Sequence, residues 1–354
     1  MDMLIENNAT GTTLQFTLQQ KDDWVKYISL ATDYDFYHTW HYHAMATNGR
    51  PFLFVYCEGQ NFIALPLLER AIQDTPYYDL HCVYGYSGPV SNLKFTDMSD
   101  SLKGNFLSAF SAFLSKGSYV SVFCRLHPFF DQNILLQKAD GIYENGKTIA
   151  INLQQSVEEQ WKQYRQTTRD SIKKCRRFGY IAVEANSQDE IAAFTKLYQS
   201  NMNRISATDF YLFTEEYFTK LIHSPEIDCK LILVYSNEDL VCGSIIMCTN
   251  GLIQGHLIAT NASYLKNSPA KFLVDEISDL GRKWKMKYYH LGGGLGYKQD
   301  SLFEWKLGFS NMVLDYCSWR HIANKAVYNQ LVEKSGNQIH TNVDFFPLYR
   351  MVPH

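Results

Sequence analysis

Short apolar runs and amphipathic stretches alternate along the chain. Residues 52–56 and 62–68 are nearly unbroken apolar runs, the pattern of strands buried on both faces. The polar EGQN between them has the composition of a hairpin turn. Two amphipathic segments precede them, and the spacing predicts short helices over 22–31 and 36–46. Residues 77–86 continue as an extended aromatic segment ending in YGYSGPV. A helix is predicted over 97–114, ended by Lys116-Gly117, and buried strands follow at SYVSVFCRL and at 148–153.

Ser156 followed three residues later by Glu159 is a capping box. It predicts one long helix running to about Phe178 and stopped at Gly179. Strands are predicted at 180–184, 230–235, 240–248, 252–259, 288–291 and 311–319, and helices at 188–201, 214–221 and 323–333. The segment NSPAKFLVDEISDLGRKW reads as a helix with Ser268 as N-cap and Pro269 in the first turn. In SLFEWKLGF, apolar and polar positions alternate.

Two stretches share one plan. LFVYCEGQNFIALPLL (53–68) and ILVYSNEDLVCGSIIM (232–247) each carry an apolar run ending in Tyr, a polar four-residue turn and a second apolar run. Tyr56 and Tyr235 fall at equivalent places without a gap. Repetition of this kind predicts a duplicated unit, and alternating helix and strand predict an α/β fold with mixed sheets. The expected division is 1–155 and 156–320, with the tail 321–354 returning to the first unit.

Composition narrows the function. Hydrophobic residues make up 46% of the 354, enough for two cores, and the net charge of -3 excludes a polycation. Any nucleotide or nucleic-acid contact must therefore come from a local basic patch. Eight cysteines form no C-x-x-C pair and several lie in apolar runs, which predicts reduced thiols in a cytoplasmic protein. MDMLIENNATGTT lacks the features of a signal peptide, and no apolar stretch reaches the roughly 18–20 residues that span a bilayer. Membrane contact, if any, is expected to be peripheral.

Four places could carry chemistry. The loop Tyr264–Lys271 leads into a helix N-terminus, where backbone N–H groups and the flanking Lys266 and Lys271 would suit a phosphate. Asn267, Ser268 and Ala270 complete that candidate cofactor loop; without a glycine it reads equally as an ordinary capped helix. In HLGGGLG, Gly292, Gly293 and Gly294 leave room beside a strand end for a ligand or another backbone, and G-G-G-x-G is not a dinucleotide fingerprint. Lys306 stands among bulky aromatics, as a snorkelling lysine or as a cation aimed into a cleft. On the helix after Ser156, Arg165, Arg169 and Lys173 are spaced to share one face, either solvated or holding phosphates of a nucleotide, a tRNA or an anionic lipid. The HxH of His41 and His43 has no further ligands at metal-site spacing, so no metal is expected.

With these residues assembled, the chain resembles the Fem family of peptidoglycan-bridge aminoacyltransferases and their relatives, which are built from two GNAT-type acyltransferase units. The resemblance lies in YDFYHTWHYH, LPLLER, YYDLHCVYGYSGPV, TTRDSIKKCRRFGY and HLGGG with SLFEWKLGF. YGYSGP and the last element are the most specific, the family's aromatic–Lys pair and later Phe falling on Trp305, Lys306 and Phe309. The chain has no charged heptad arm, and its 266–271 loop lacks the usual GNAT pyrophosphate signature.

The resemblance implies transfer of an acyl or aminoacyl group from acyl-coenzyme A or aminoacyl-tRNA to an amine, an amino sugar or a peptidoglycan precursor. In that scheme Lys306 stabilises developing charge or holds an acceptor phosphate, Trp305 and Phe309 wall the cleft, and the glycines at 292–294 admit the donor. Arg165 and Arg169 hold phosphate, Tyr84 and Tyr86 line the acceptor side, and His256 and Tyr289 are candidate bases by type. A fold that has lost catalysis and binds a glycan precursor or a partner is the alternative.

Overall fold

The computed structural model describes residues 6–7, 11–207, 212–338 and 344–351. The chain divides into two compact units, one of residues 1–146 with 315–354 and one of 147–314. Residues 339–343 and 352–354 of the tail lie outside the described residues.

In the first unit the elements are β1 (Glu6–Asn7), β2 (Thr12–Thr17), α1 (Lys21–Ser29), α2 (Trp40–Ala44), β3 (Arg50–Glu58), β4 (Asn61–Ala71), β5 (Tyr78–His81), β6 (Val90–Ser91), α3 (Asp100–Lys116), β7 (Tyr119–Arg125) and α4 (Gln132–Leu136). The chain passes into the second unit within β8 (Ile142–Asn152). There follow α5 (Val157–Gln163), α6 (Gln166–Arg177), β9 (Ile181–Ala185), α7 (Gln188–Arg204), α8 (Glu215–Ile222), β10 (Asp228–Ser236), β11 (Asp239–Thr249), β12 (Leu252–Thr260), α9 (Pro269–Lys283), β13 (Tyr288–Gly292) and α10 (Ser301–Leu307). It returns within β14 (Met312–Ile322), and α11 (Lys325–Lys334) belongs to the first unit.

Both units have one internal plan, mixed in strand direction as expected. The first orders its strands β2-β3-β4-β5-β7-β14 and the second β9-β10-β11-β12-β13-β8. In each, four strands are antiparallel neighbours and the next pair, β5/β7 or β12/β13, is parallel. The duplicated hairpins are β3/β4 and β10/β11. Each turns through two residues, the first left-handed: Gly59 at φ 59° and Asn237 at φ 53°.

Helices pack on these sheets through aromatic and aliphatic faces. Phe106, Phe110 and Leu114 of α3 meet Phe52, Phe54 and Tyr56 of β3, all buried. Phe272, Leu273 and Ile277 of α9 meet Ile232, Ile246 and Ile253. The helix expected to run from Ser156 to Phe178 is two helices. The capping box forms and starts α5, but Tyr164 (ψ 133°) and Arg165 (ψ 149°) are extended and separate α5 from α6. The break lets the buried Tyr164 hydroxyl donate to Asp275 of α9 at 3.1 Å, and lets the Arg165 N–H donate to the Gly308 carbonyl at 2.9 Å. SLFEWKL, whose alternation is strand-like, is the helix α10, because Asp300 caps its first turn by accepting from the Phe303 N–H at 2.9 Å.

The described tail is fastened to the first unit by a buried carboxylate. Asp79 on β5 is fully buried and accepts from Arg70 Nε at 2.8 Å, Arg350 Nε at 2.5 Å and the Tyr349 hydroxyl at 3.0 Å. Breaking a buried ion pair from one side typically costs about 3–5 kcal/mol, less where the orphaned partner can reach water. Arg70 and Arg350 are each about a quarter exposed. Asp79→Ala should therefore lower the unfolding free energy by about 2–4 kcal/mol, measured by urea denaturation, and a change under about 0.5 kcal/mol would show that the tail is held by its apolar contacts alone.

Candidate active site

The second unit's sheet opens along one seam. Parallel β12 and β13 are in register at Leu252–Tyr288, Ile253–Tyr289 and Gln254–His290. Beyond that level β12 continues with β11 as far as Thr260–Cys242, while β13 continues with β8 to Gly292–Ile149. Each strand carries a bulge where the shared register ends. Ile245 and Ile246 of β11 face Leu257 and Gly255, so His256 is the extra residue of β12. Ala150 and Ile149 of β8 face His290 and Gly292, so Leu291 is the extra residue of β13. A bulge bends its strand and ends pairing locally, and two at one level part the strands. The last registered pair is locked by a buried hydrogen bond, His290 Nδ1 to Gln254 Oε1 at 2.7 Å. The edge of β12 from Gly255 onward thus faces the opening, and α9 begins nine residues after β12 ends.

The first unit closes the equivalent seam. There β5 and β7 are in parallel register to His81–Phe123, and the Cys82 N–H donates to the Phe123 carbonyl at 2.9 Å. The chain then loops through YGY and rejoins β7: Ser87 bridges Leu126, its N–H donating to the Arg125 carbonyl at 2.8 Å. Fully buried Gln132 clamps this segment, donating to the Ser87 and Pro89 carbonyls at 2.9 Å each and accepting from the His127 N–H at 2.7 Å. The YGYSGP motif therefore fills a seam in the first unit. Tyr86 is buried against the rings of Tyr37, His127 and Tyr316, and the Tyr84 carbonyl accepts from the Tyr42 hydroxyl at 3.0 Å.

Past β13 the chain makes the glycine turn and enters α10. The turn is packed by the protein itself. A Cβ on Gly294 would stand 2.0 Å from the Lys298 carbonyl oxygen and 2.3 Å from Asp300 Oδ1, and one on Gly293 would stand 2.8 Å from the Lys147 carbonyl oxygen. These glycines are needed for close approach of the chain to itself, the second of the two uses the sequence allowed them. Lys306 Nζ donates to the Gly293 carbonyl at 2.6 Å, tying α10 to the turn. Desolvation of this ammonium pulls its pKa down to about 8, against the opposing pull of Asp300. Trp305 is half-buried and meets Phe309 edge-on, centroids 5.0 Å apart. Phe309 is wholly buried and packs on Tyr164 as well, so it supports the wall from behind.

The arginines expected to hold phosphate are engaged within the unit. Arg165 precedes α6 rather than sharing a face with Arg169, and it donates to the Glu304 carboxylate at 2.7 Å and to the Glu304 carbonyl at 3.1 Å. Arg169 caps α5 by donating to the Trp161 carbonyl at 3.1 Å, and it reaches Gln166 Oε1 at 2.8 Å. Sequence reasoning missed the network behind them. Asp275, buried on α9, takes Tyr164 and, at 2.7 Å, Arg176, and burial raises its pKa to about 6. Arg282 and Gln160 extend it to α5.

Of the candidate bases, Tyr289 is buried in β13 with its phenol pKa pushed up by desolvation, which disqualifies it as a proton acceptor at neutral pH. His256 is half-buried at the β12 bulge, its Nε2 3.1 Å from the Tyr217 hydroxyl of α8. The 266–271 loop continues a short 3-10 helix, Ala262–Asn267, and Ser268 turns it into α9 with left-handed φ 55°. Pro269 at the first position has no N–H. Asn267 Nδ2 donates to the Tyr180 hydroxyl at 3.1 Å, Lys271 Nζ lies 3.4 Å from the Thr167 carbonyl, and Lys266 is exposed. Ala270 and Lys271 form the first turn of α9. Among the described residues, no group of three His, Cys, Asp or Glu side chains could hold a metal ion.

Residues 162–306 match the family model described as an acetyltransferase (GNAT) domain. The fold is similar to that of FemX, with TM-score 0.69 at 12% identity, covering 90% of this chain and 99% of that one. It is also similar to a conserved protein of unknown function from Bacteroides thetaiotaomicron (TM-score 0.56, 10% identity, 90% and 100% covered). A third neighbour is the C-terminal domain of a putative lysylphosphatidylglycerol synthetase from Agrobacterium fabrum (0.52, 13%, 88% and 92%). No curated protein matches the sequence. The opened parallel seam lies inside the segment that matches the GNAT domain, and the fold of the chain as a whole is similar to that of FemX.

Proposed function

We propose that this protein is an N-acyltransferase that moves an acyl or aminoacyl group from an activated ester or thioester to an amine, using the second unit as its catalytic half. The observation that carries this reading is the parting of β12 and β13. A strand edge turned toward an opening offers N–H and C=O groups to an extended ligand, as an edge strand accepts a peptide. The acyl end of the donor would lie along β12 beyond Gln254. Its phosphates, whether of coenzyme A or of a tRNA end, would face the first turn of α9 and Lys266. Both donor classes belong inside a cell. The likeness to Fem proteins favours an amino sugar or peptidoglycan precursor as acceptor.

In the transfer, the neutral amine attacks the carbonyl carbon, its nitrogen forming the new amide bond as the carbon–oxygen or carbon–sulfur bond to the donor breaks. The proton leaves the amine nitrogen; His256, oriented by Tyr217, is the candidate to take it. Charge on the carbonyl oxygen would be met by N–H groups of the β12 edge and by the Lys306 cation. Arg165, Trp305 and Phe309 act one step back by fixing α10, and Tyr84 and Tyr86 by shaping the first unit.

Assays with acyl-coenzyme A and with charged tRNA, against amino-sugar and muropeptide acceptors, should find one productive pair. Binding of a glycan nucleotide without turnover of either donor would replace the enzyme with a binding protein. With that pair, Lys306→Ala should lose about 10²–10³-fold in kcat, and a loss under about 3-fold removes Lys306 from the chemistry. If the cation is the active form, kcat should fall as pH rises through about 8, where Lys306 gives up its proton; a rise there would make Lys306 a base. Folding has the matching signature. The folded pKa lies below the unfolded one, so the unfolded chain holds the extra proton between about pH 8 and 10. Unfolding free energy should rise with pH across that window in the parent protein relative to Lys306→Met, and equal slopes would show that the ammonium is solvated.

A further inference from the structure

We propose that the C-terminal end of α6, the turn after it and the start of β9 form a docking patch for an anionic membrane surface. Three large apolar side chains project there: Phe178 is 52% exposed, Ile181 62% and Leu265 42%. They come from three different elements, yet their neighbours join them into one neighbourhood. The Cys175 thiol donates to the Asn267 carbonyl at 3.3 Å, Asn267 reaches the Tyr180 hydroxyl, and the Tyr180 ring lies 6.5 Å from that of Phe178. The backbone is fixed as well. Gly179, at φ 71°, closes α6 so that its N–H and that of Tyr180 donate to the Arg176 and Cys175 carbonyls at 3.1 Å. Phe178 thus stands on a rigid turn, and Ile181 opens the strand at the sheet's edge.

Cations are interleaved with these side chains. Lys173, Arg177 and Lys266 are exposed, and Lys174 lies over the Phe178 ring at 5.5 Å. Arg176 is spent on Asp275 and Glu276 at 2.7 and 3.3 Å. Of the nearby acids, Asp239 accepts from the Tyr264 hydroxyl and Asp170 from Gln166. The local balance is basic on a chain whose net charge is -3. An anionic lipid surface takes both components, headgroups pairing with the cations and interfacial acyl chains covering the apolar side chains. RNA would take the cations and could stack on Phe178, but Ile181 and Leu265 offer no ring to a base. The patch shares only Lys266 with the proposed donor site, and the test variants leave that residue in place.

The test uses the full chain and sedimentation with vesicles of phosphatidylglycerol and phosphatidylcholine, against phosphatidylcholine alone. Binding is expected only to the anionic vesicles and should weaken at high salt. Lys173→Glu with Arg177→Glu should weaken it at least about 20-fold, since each basic residue near such a surface is worth roughly fivefold. Phe178→Ser with Ile181→Ser should weaken it about 10-fold while leaving the thermal unfolding midpoint in place. No binding to anionic vesicles, or binding that neither double variant weakens, overturns the proposal. So does loss of tRNA binding by the charge variant in a protein that ignores vesicles, which would make the patch an RNA surface.

Discussion

Three register pairs hold β12 to β13, and the bulges at His256 and Leu291 end that pairing on both strands at one level. This constraint organises the second unit. A strand that leaves its neighbour must find other partners for its N–H and C=O groups, because a buried N–H or C=O without one costs about 1–3 kcal/mol. The sheet tolerates the opening because each strand keeps its other neighbour: β11 for β12 to Thr260, β8 for β13 to Gly292. The buried His290–Gln254 bond fixes where the seam begins.

The two units make an internal control. They share strand order and the position of the parallel pair, yet the first unit fills its seam with Ser87, Gly88 and Pro89 under the Gln132 clamp. One sheet plan therefore yields a closed seam and an open one, and the difference is a single returning loop. This is why the acyl-transfer reading rests on the second unit alone. Around the open seam the supporting groups are tied internally, Lys306 to Gly293, Arg165 to Glu304 and Asp275 to Tyr164 and Arg176. The wall of α10 is thereby pre-positioned, and exposed cations lie at Lys266, at Lys298 and along the end of α6.

Much of the fold was legible because hydrophobic runs and turn residues report it directly. The paired hairpins at 53–68 and 232–247, the capping box at Ser156 and Pro269 at the start of α9 all lie in local sequence. The break at Tyr164-Arg165 was not legible, since no Gly or Pro marks it and its cause is a buried hydroxyl reaching Asp275 more than a hundred residues later. SLFEWKLGF was assigned no element, because its alternation does not mark a helix and the deciding group, the Asp300 cap, lies just outside it. The seam itself depends on register between distant strands. Gly255 and Gly292 were its local traces, glycines at bulges, and only pairing reveals them as such. Lys306 was found by its aromatic setting, but its partner, a glycine carbonyl, carries no side chain for sequence reasoning to find.

A donor whose acyl end lies along β12 beyond Gln254 must shield the backbone of that edge from solvent. Amide hydrogen exchange on the full chain, with and without a turned-over donor, measures that shielding. Residues 255–258 and the first turn of α9 should become protected when the donor is added, while residues 83–88 of the first unit should not change. Unchanged exchange across 255–258 in the presence of a donor that the protein demonstrably uses would contradict that placement.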